Sequence, residues 1–287
     1  MEYFVALLEL SGIFVILAIG VNYLVGNAGV MFVGQIAFFA VGAYATAIMT
    51  TLFGLSPVIA SLAGAFISVG IAAAFGLVMR RLSGQFLLIS SLGLCEIVRS
   101  LVNNATFSGG AQGITIPESL FSNTLLPRPL QMPLLELALL ALEILFFYRL
   151  DRSPKGRLVR ALRDDPILLT SLGYSTTRIQ GEVLIMSAVW ASIAGSLFAH
   201  YSQYIDPTSF TMIESLMILI VVMIGGVSSI GGSVLAGIIL IILPGILRLL
   251  YLPSSVVGPI HQISFALFVL VVLKFKPKGI LGRVTLP

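Results

Sequence analysis

The feature that most constrains this chain is one polar island, Leu150 to Arg178, set between hydrophobic segments each long enough to cross a bilayer. It reads LDRSPKGRLVRALRDDPILLTSLGYSTTR. With Arg149 it gathers Arg152, Lys155, Arg157, Arg160, Arg163 and Arg178, seven of the sixteen Lys and Arg residues, beside Asp151, Asp164 and Asp165. Lys and Arg collect on the cytoplasmic side of membrane proteins, so the island is expected inside the cell. Local start and stop signals run through it. Ser153 before Pro154 is an N-cap followed by proline at the first helical position. Asp165 before Pro166 repeats that signal, and Gly173 stands where a helix would end. A short capped helix at the cytoplasmic face suits a docking element for another protein. An ordinary basic loop that only fixes topology suits the same residues, and from the island alone this plainer reading stands first.

Composition sets the class. Hydrophobic residues make up 58% of the chain and charged ones 10%, and the mean hydropathy is +1.08. A water-soluble core has no use for that much apolar surface, so the solvent is lipid. The formal charge of +4 does not indicate nucleic-acid binding, because the cations sit at membrane edges: Arg80 and Arg81, the island, and Lys274, Lys276, Lys278 and Arg283. A single cysteine, Cys95, excludes an internal disulfide and reads as a small buried apolar residue. The N-terminus has no basic stretch and no small-residue cleavage site before Gly20, so its first apolar stretch is expected to be a retained span.

The expected fold is an all-α polytopic membrane protein of roughly eight or nine transmembrane or re-entrant helices with a cytoplasmic coupling helix. The expected spans are 3–25, 30–53, 57–79, 85–105, 131–149, 179–200, 208–226, 232–250 and 257–273. All belong to a single domain, 1–287, with a cytoplasmic segment 150–178 and an outer loop 106–130. That loop carries one basic residue, Arg128, which fits an outside position. An odd count of spans places the N-terminus outside as well. Alternatively, Gly26, Gly29 and Gly34 mark a broken segment.

Small residues recur at helical spacing in Ala40, Ala43 and Ala47 and in Ser61, Gly64 and Ser68, which predicts close helix packing. The run from Gly225 to Gly232, two glycine pairs around Val-Ser-Ser-Ile, predicts a tight, flexible cytoplasmic turn. It lacks the Gly-Lys-Ser/Thr ending of a phosphate-binding loop, and no such pattern occurs anywhere in the chain, so this polypeptide is not expected to hydrolyse nucleotide by itself. Ionisable residues within apolar spans are costly. Glu96 and Arg99 are three apart on a helix and read as a structural ion pair. Glu136 and Glu143 lie two turns apart on one face, and Glu9 and Glu214 are isolated. His200 and His261 sit near span ends, where an interfacial position fits better than a ligand or proton carrier. No metal-ligand spacing, nucleophile triad or supported catalytic carboxylate pair is present, so no catalytic residue is assigned.

Four stretches and the tail resemble the inner-membrane permease subunits of branched-chain amino acid ABC importers, of the LivM type within the LivM/LivH family. NYLVGNAGVMFVGQIAFFAVGAYATAIM is similar to the family's early Gly-rich segment, with Gly34, Ala37, Phe38, Phe39, Gly42, Ala43 and Tyr44 at matching places. GQFLLISSLGLCEIVRSLVNNATFSGGAQGI resembles its next span and outer loop. The island looks like its cytoplasmic coupling segment, YSQYIDPTSF and GGVSSIGGSVLAG like later loops, and FKPKGILGR like its ending. Two departures stand out: Gln35 occupies a place where many relatives carry His, and Pro166-Ile167-Leu168-Leu169 replaces a stretch that is usually acidic and alanine-rich.

The resemblance implies a multi-pass subunit of the bacterial inner membrane that imports branched-chain or other hydrophobic amino acids. It would pair with a second permease of the same family, two cytoplasmic ATP-binding subunits, and a periplasmic or lipid-anchored substrate-binding protein. ATP and magnesium would sit on the partner subunits, with no cofactor or metal bound by this chain and no nucleic acid as partner. ATPase coupling would fall to Arg163, Asp164, Asp165, Pro166, Leu168, Leu169, Leu172 and Gly173. A substrate path is expected at the interface with the sibling permease, with Gln35, Phe38, Ser90 and Ser91 as candidate lining residues. Urea or short amides are alternative substrates. A proton-driven secondary transporter is the alternative of a different class, but it predicts deep titratable relays and paired repeat halves. A channel predicts a repeated filter or pore-lining ring, and none is visible.

Overall fold

Helix α1 (Glu2–Asn22) is apolar on every side, which a helix tolerates only when surrounded by other helices or lipid. In the computed structural model, which describes residues 2–82, 84–116, 128–248, 269–270, 272, 274–276 and 279–282, it is the axis of the fold. From Ile13 onward nearly all of its side chains are buried. Around it pack α5 (Arg128–Arg152), α8 (Thr176–Ser202), α9 (Met212–Gly225) and α10 (Ile230–Arg248). A second layer forms where α2 (Gln35–Thr51) and α3 (Pro57–Met79) lie against α8 and against each other.

The α2–α8 seam explains the small residues. A side chain at Gly42 would collide with the Ser192 backbone, and one at Gly195 with the Phe39 carbonyl. With those positions bare, the two backbones touch, and Thr46 Oγ1 donates to Ser196 Oγ at 2.8 Å. Ala40, Ala43 and Ala47 are buried, as are Gly64 and Ser68 on α3. Ser61 is only half-buried. Helix α4 (Gln85–Asn104) shows the opposite arrangement, a narrow inner stripe. Leu87, Ser91, Cys95 and Val98 face inward, while Phe86, Ile89, Ile97 and Leu101 are exposed. That apolar outer face is what a bilayer covers.

Among the described residues five helices are long and apolar enough to cross a membrane: Val5–Asn27, Pro57–Met79, Gln85–Asn104, Thr176–Ser202 and Pro207–Gly225. Gln35–Thr51 and Ile230–Ile242 are shorter apolar helices. The spans expected at 57–79 and 85–105 coincide with α3 and α4 to within a residue. The span expected at 30–53 does not form as one helix. After α1 the chain makes a widened helical turn, Tyr23–Asn27, and then runs without helical structure through 28–34 before α2 begins at Gln35. Two glycines explain the break. Gly29 has φ +67°, and a side chain on Gly34 would strike the Ser91 carbonyl. Apart from exposed Gly29 and half-buried Met31 the segment is buried in protein, and the Val33 N–H is satisfied by Ser91 Oγ at 3.0 Å, which is how irregular backbone survives away from water. The expected span 257–273 and His261 lie outside the described residues, apart from isolated positions near 270.

The two ends of the bundle differ. At one end α5 turns into two short helices, α6 (Pro154–Asp164) and α7 (Pro166–Ser171), before α8 begins. At the other, β1 (Ile114–Thr115) pairs antiparallel with β2 (Tyr204–Ile205), Ile114 opposite Ile205. Beside β2, Asp206 accepts from Ser209 N at 2.9 Å, Ser209 Oγ at 2.6 Å and Thr208 Oγ1 at 2.8 Å. Partial burial works to raise the Asp206 pKa, but these hydrogen bonds outweigh it and hold the carboxyl below its usual value.

Candidate functional site

The polar end carries the candidate site, and local chemistry builds it. Ser153 caps α6, its Oγ accepting from Gly156 N at 3.2 Å. Gly156 is required at the corner, because a side chain there would strike the carbonyls of Leu150 and Asp151. Helix α6 turns Gly156, Val159 and Leu162 inward and Lys155, Arg157 and Asp164 outward. Asp165 then breaks the helix by adopting an extended backbone and caps α7, its Oδ1 accepting from Ile167 N at 3.0 Å and Leu168 N at 2.9 Å. The far end closes at Gly173, φ +86°, with Gly173 N donating to Thr170 O at 2.9 Å and Tyr174 N to Leu169 O at 3.2 Å. This is the paired bonding of a left-handed helix cap.

Helix α7 presents an apolar face outward. Ile167 is 82% exposed, Leu168 57% and Leu172 66%, whereas Leu169 is 3% exposed and packs into the core. Of the two leucines expected to take part in ATPase coupling, Leu168 faces out and Leu169 faces the core, because consecutive residues on a helix point about 100° apart. Asp164, Asp165 and Pro166 are exposed beside it. Between α6 and the base of α8 lies an open cleft of about 390 Å³, with Leu150, Leu158, Ile179 and Val183 within it and Lys155, Arg178 and Glu182 at its charged edge. Glu182 accepts from both Lys155 Nζ and Arg178 Nε at 3.2 Å.

Arg163 points the other way, into the protein. Its Nη1 donates to Gly26 O at 3.0 Å and Ser228 Oγ at 2.8 Å, while Nε and Nη2 hold Asp164 Oδ1 at 3.1 and 3.0 Å. Ser228 Oγ itself donates to Gly26 O at 2.7 Å. Asn22 grips the same turn, its Oδ1 accepting from Ser228 N at 2.8 Å and its Nδ2 donating to Ser229 O at 3.0 Å and Ser233 Oγ at 2.5 Å. Asn27 Nδ2 reaches Asp151 Oδ1 at 3.3 Å, and the same carboxylate pairs with Arg160. The glycine-rich turn at 225–232, expected to be flexible, is thus pinned, with Gly226 at φ +109° and Ser228 at φ +62°. Sequence reasoning misses this role for Asn22, Gly26 and Ser228, because what ties them is tertiary.

The candidate path residues gather only in part. Gln35 and Phe38 at the start of α2 and Ser91 on α4 are all buried within this chain. Gln35 Nε2 donates to Ser187 Oγ, and Phe38 stacks on Phe32 with centroids 6.0 Å apart. None of the three reaches an outer face, so as placed they do not line a surface open to a sibling subunit. Ser90 lies apart and donates to the Phe86 carbonyl of its own helix at 2.8 Å. Glu136 and Glu143 do share a face, buried against α1, where Gly12 and Gly20 leave room for them. Arg99 donates to Glu96 Oε2 through Nε at 3.0 Å and Nη2 at 2.8 Å, a pair closed on its own helix. No group of three His, Cys, Asp or Glu suited to a metal ion occurs among the described residues.

Residues 3–273 match the model of the family described as branched-chain amino acid transport system / permease component. The chain is 34% identical over 261 residues to the high-affinity branched-chain amino acid transport system permease protein LivM of Salmonella typhimurium, covering 82% of this chain and 61% of that protein. Against LivM of Escherichia coli it is 34% identical over 271 residues, 83% of this chain and 62% of the relative. Against the LivH permease protein of Escherichia coli it is 34% identical over 149 residues, 51% of this chain and 44% of the relative. The chain therefore spans about three fifths of the length of the LivM proteins it matches. No solved structure matches it significantly. A match running from the start of α1 to beyond α10, through the break, the capped α6–α7 segment and the pinned turn, places the chain in the family of branched-chain amino acid transport system permease components.

Proposed function

We propose that this chain is the membrane-spanning half of an ATP-driven importer for branched-chain or other hydrophobic amino acids. The family match over 3–273 carries the reading, and the relatives' names supply the substrate class. In this reading a second permease of the same family completes the membrane assembly, two cytoplasmic subunits bind ATP and magnesium, and a substrate-binding protein delivers the amino acid from outside. The membrane is the bacterial cytoplasmic membrane, crossed by eight or nine helical segments. Two features support an inside position for the polar end and an outside position for the N-terminus. The polar end holds the Lys and Arg cluster. Helices α1 and α5 run parallel, Glu136 beside Gly12 and Glu143 beside Gly20, so α1 starts at the end opposite the cluster.

Helix α7 fits the role of coupling element. A capped helix on a water-exposed segment gains nothing by exposing Ile167, Leu168 and Leu172 unless a partner covers them. The partner's groove would take these three side chains, with Asp164 and Asp165 at its edge. The test is reconstitution in proteoliposomes. Leucine, isoleucine or valine uptake is expected only when the ATP-binding subunits and ATP are present. Uptake by the purified chain alone under a proton gradient would overturn the importer reading in favour of a secondary transporter.

A further inference from the structure

We infer that Arg163 is the positioning residue that carries movement of the docked α7 segment into the membrane core. The inference rests on the docking role proposed for α7. Arg163 stands two residues before the Asp165 cap, so any displacement of α7 moves its backbone. Its guanidinium is spread over three anchors, one in its own segment and two in the core. Nε and Nη2 hold Asp164, and Nη1 holds Gly26 O and Ser228 Oγ. A planar fork bonded this way transmits position and orientation together, which a single point contact does not. The core side is built to receive it. Gly29 lies so close to Arg163 that an added Cβ would sit 2.8 Å from its Cγ, and Gly26 lacks the side chain that would separate Asn22 from Ser228 N. Asn22 completes the knot by binding the 226–233 turn from the α1 side. The segments 22–29 and 226–233 therefore move with Arg163.

The backbone beyond Gly26 makes this a lever rather than a brace. The widened turn at 23–27 and the non-helical stretch 28–34 run directly into α2, whose first residues Gln35 and Phe38 lie deep in the bundle. Irregular backbone absorbs displacement by changing φ and ψ, whereas a bare-backbone seam such as α2–α8 resists shear. A shift at Gly26 thus has a compliant route to the start of α2. The other polar ties of the island to the bundle are weaker conduits. Lys155–Glu182 and Arg178–Glu182 are exposed pairs, and Asn27–Asp151 is a single bond at 3.3 Å.

The experiment uses the full complex, this chain with its sibling permease and ATP-binding subunits in proteoliposomes, and counts amino acids imported per ATP hydrolysed. Arg163→Gln should retain the ATP-binding subunits and ATP hydrolysis while import per ATP falls about 10-fold. Arg163→Lys should recover part of the loss, because an ammonium reaches Gly26 O but cannot also hold Asp164 as a fork. Ser228→Ala, which leaves Arg163 in place and removes one core anchor, should fall in the same direction by a smaller factor. Import per ATP equal to the parent in Arg163→Gln overturns the inference. So does loss of assembly in Arg163→Gln combined with parental coupling in Ser228→Ala, which would make Arg163 a folding brace only. If the parent complex shows no ATP-dependent import, the importer reading itself falls, and this inference with it.

Discussion

The α2–α8 seam and the Asn22–Arg163–Ser228 knot both bring distant segments together, and they do so by opposite means. At the seam, glycines remove side chains so that two helices meet backbone to backbone. At the knot, the side chains of Asn22 and Arg163 bind the backbone of other segments, Asn22 taking Ser228 N and Ser229 O and Arg163 taking Gly26 O. The first contact is rigid and indifferent to pH or salt. The second is directional and can be made, broken or shifted as a unit. A transporter needs both kinds, a frame that does not shear and a joint that does. Here the second contact lies beneath the exposed apolar face of α7.

Breaking the seam should have the largest effect. Gly42→Leu or Gly195→Leu drives a side chain into backbone that has no rotamer with which to yield, and should cost more than about 3 kcal/mol. The expected readout is aggregation in detergent instead of a single monodisperse species. Next come the two faces of α7. Leu169→Ala empties a core position and should lower stability by about 2–5 kcal/mol, while Leu168→Ala should change it by less than about 0.5 kcal/mol. Thermal unfolding followed by tryptophan or dye fluorescence separates them. Equal melting temperatures would mean that α7 does not pack as described.

At the knot, Asn22→Ala leaves Ser228 N without its partner and should cost about 1–3 kcal/mol. Hydrogen exchange in 226–233 should rise while the α2–α8 seam stays protected. Gly173→Val should cost about 1–2 kcal/mol through its left-handed backbone alone, since no atom lies within 4 Å of the added Cβ. The exposed Lys155–Glu182–Arg178 cluster should matter least. Glu182→Gln is expected to change stability by no more than about 1 kcal/mol, and less at high salt.

The contrast also separates what the sequence discloses from what it does not. The α2 side of the seam is legible because Ala40, Ala43 and Ala47 at helical spacing are a local pattern, whereas Gly195 and Ser196 on α8 show their part only in the fold. The caps at Ser153 and Asp165 and the stop at Gly173 are legible because each depends on residues within a few positions. The spans of α3 and α4 are legible as apolar runs of membrane-crossing length. The knot is not legible, since the Asn22–Ser228 bond joins residues 206 apart and the Arg163–Gly26 bond residues 137 apart. An arginine in a basic island reads as one of many until the fold supplies its acceptor. The inward turn of Leu169 escapes for another reason. Six residues of α7 contain fewer than two helical turns, too few for periodicity to say which leucine faces the core. Gly26, Gly29 and Gly34 hint at the break over 28–34, yet those glycines equally suit close packing within a continuous helix.

The most direct test of the docking claim compares the parent chain with Leu168→Asp in the assembled complex, measuring ATP-binding subunits retained and amino acid imported. Leu168 is exposed, so the variant should insert and melt like the parent. Leu168→Asp is expected to fail to retain the ATP-binding subunits, because a charge would be buried in their groove at a cost of several kcal/mol, and to abolish ATP-driven import. Parental retention and parental import in Leu168→Asp would contradict the docking claim and leave the island as a topology signal only.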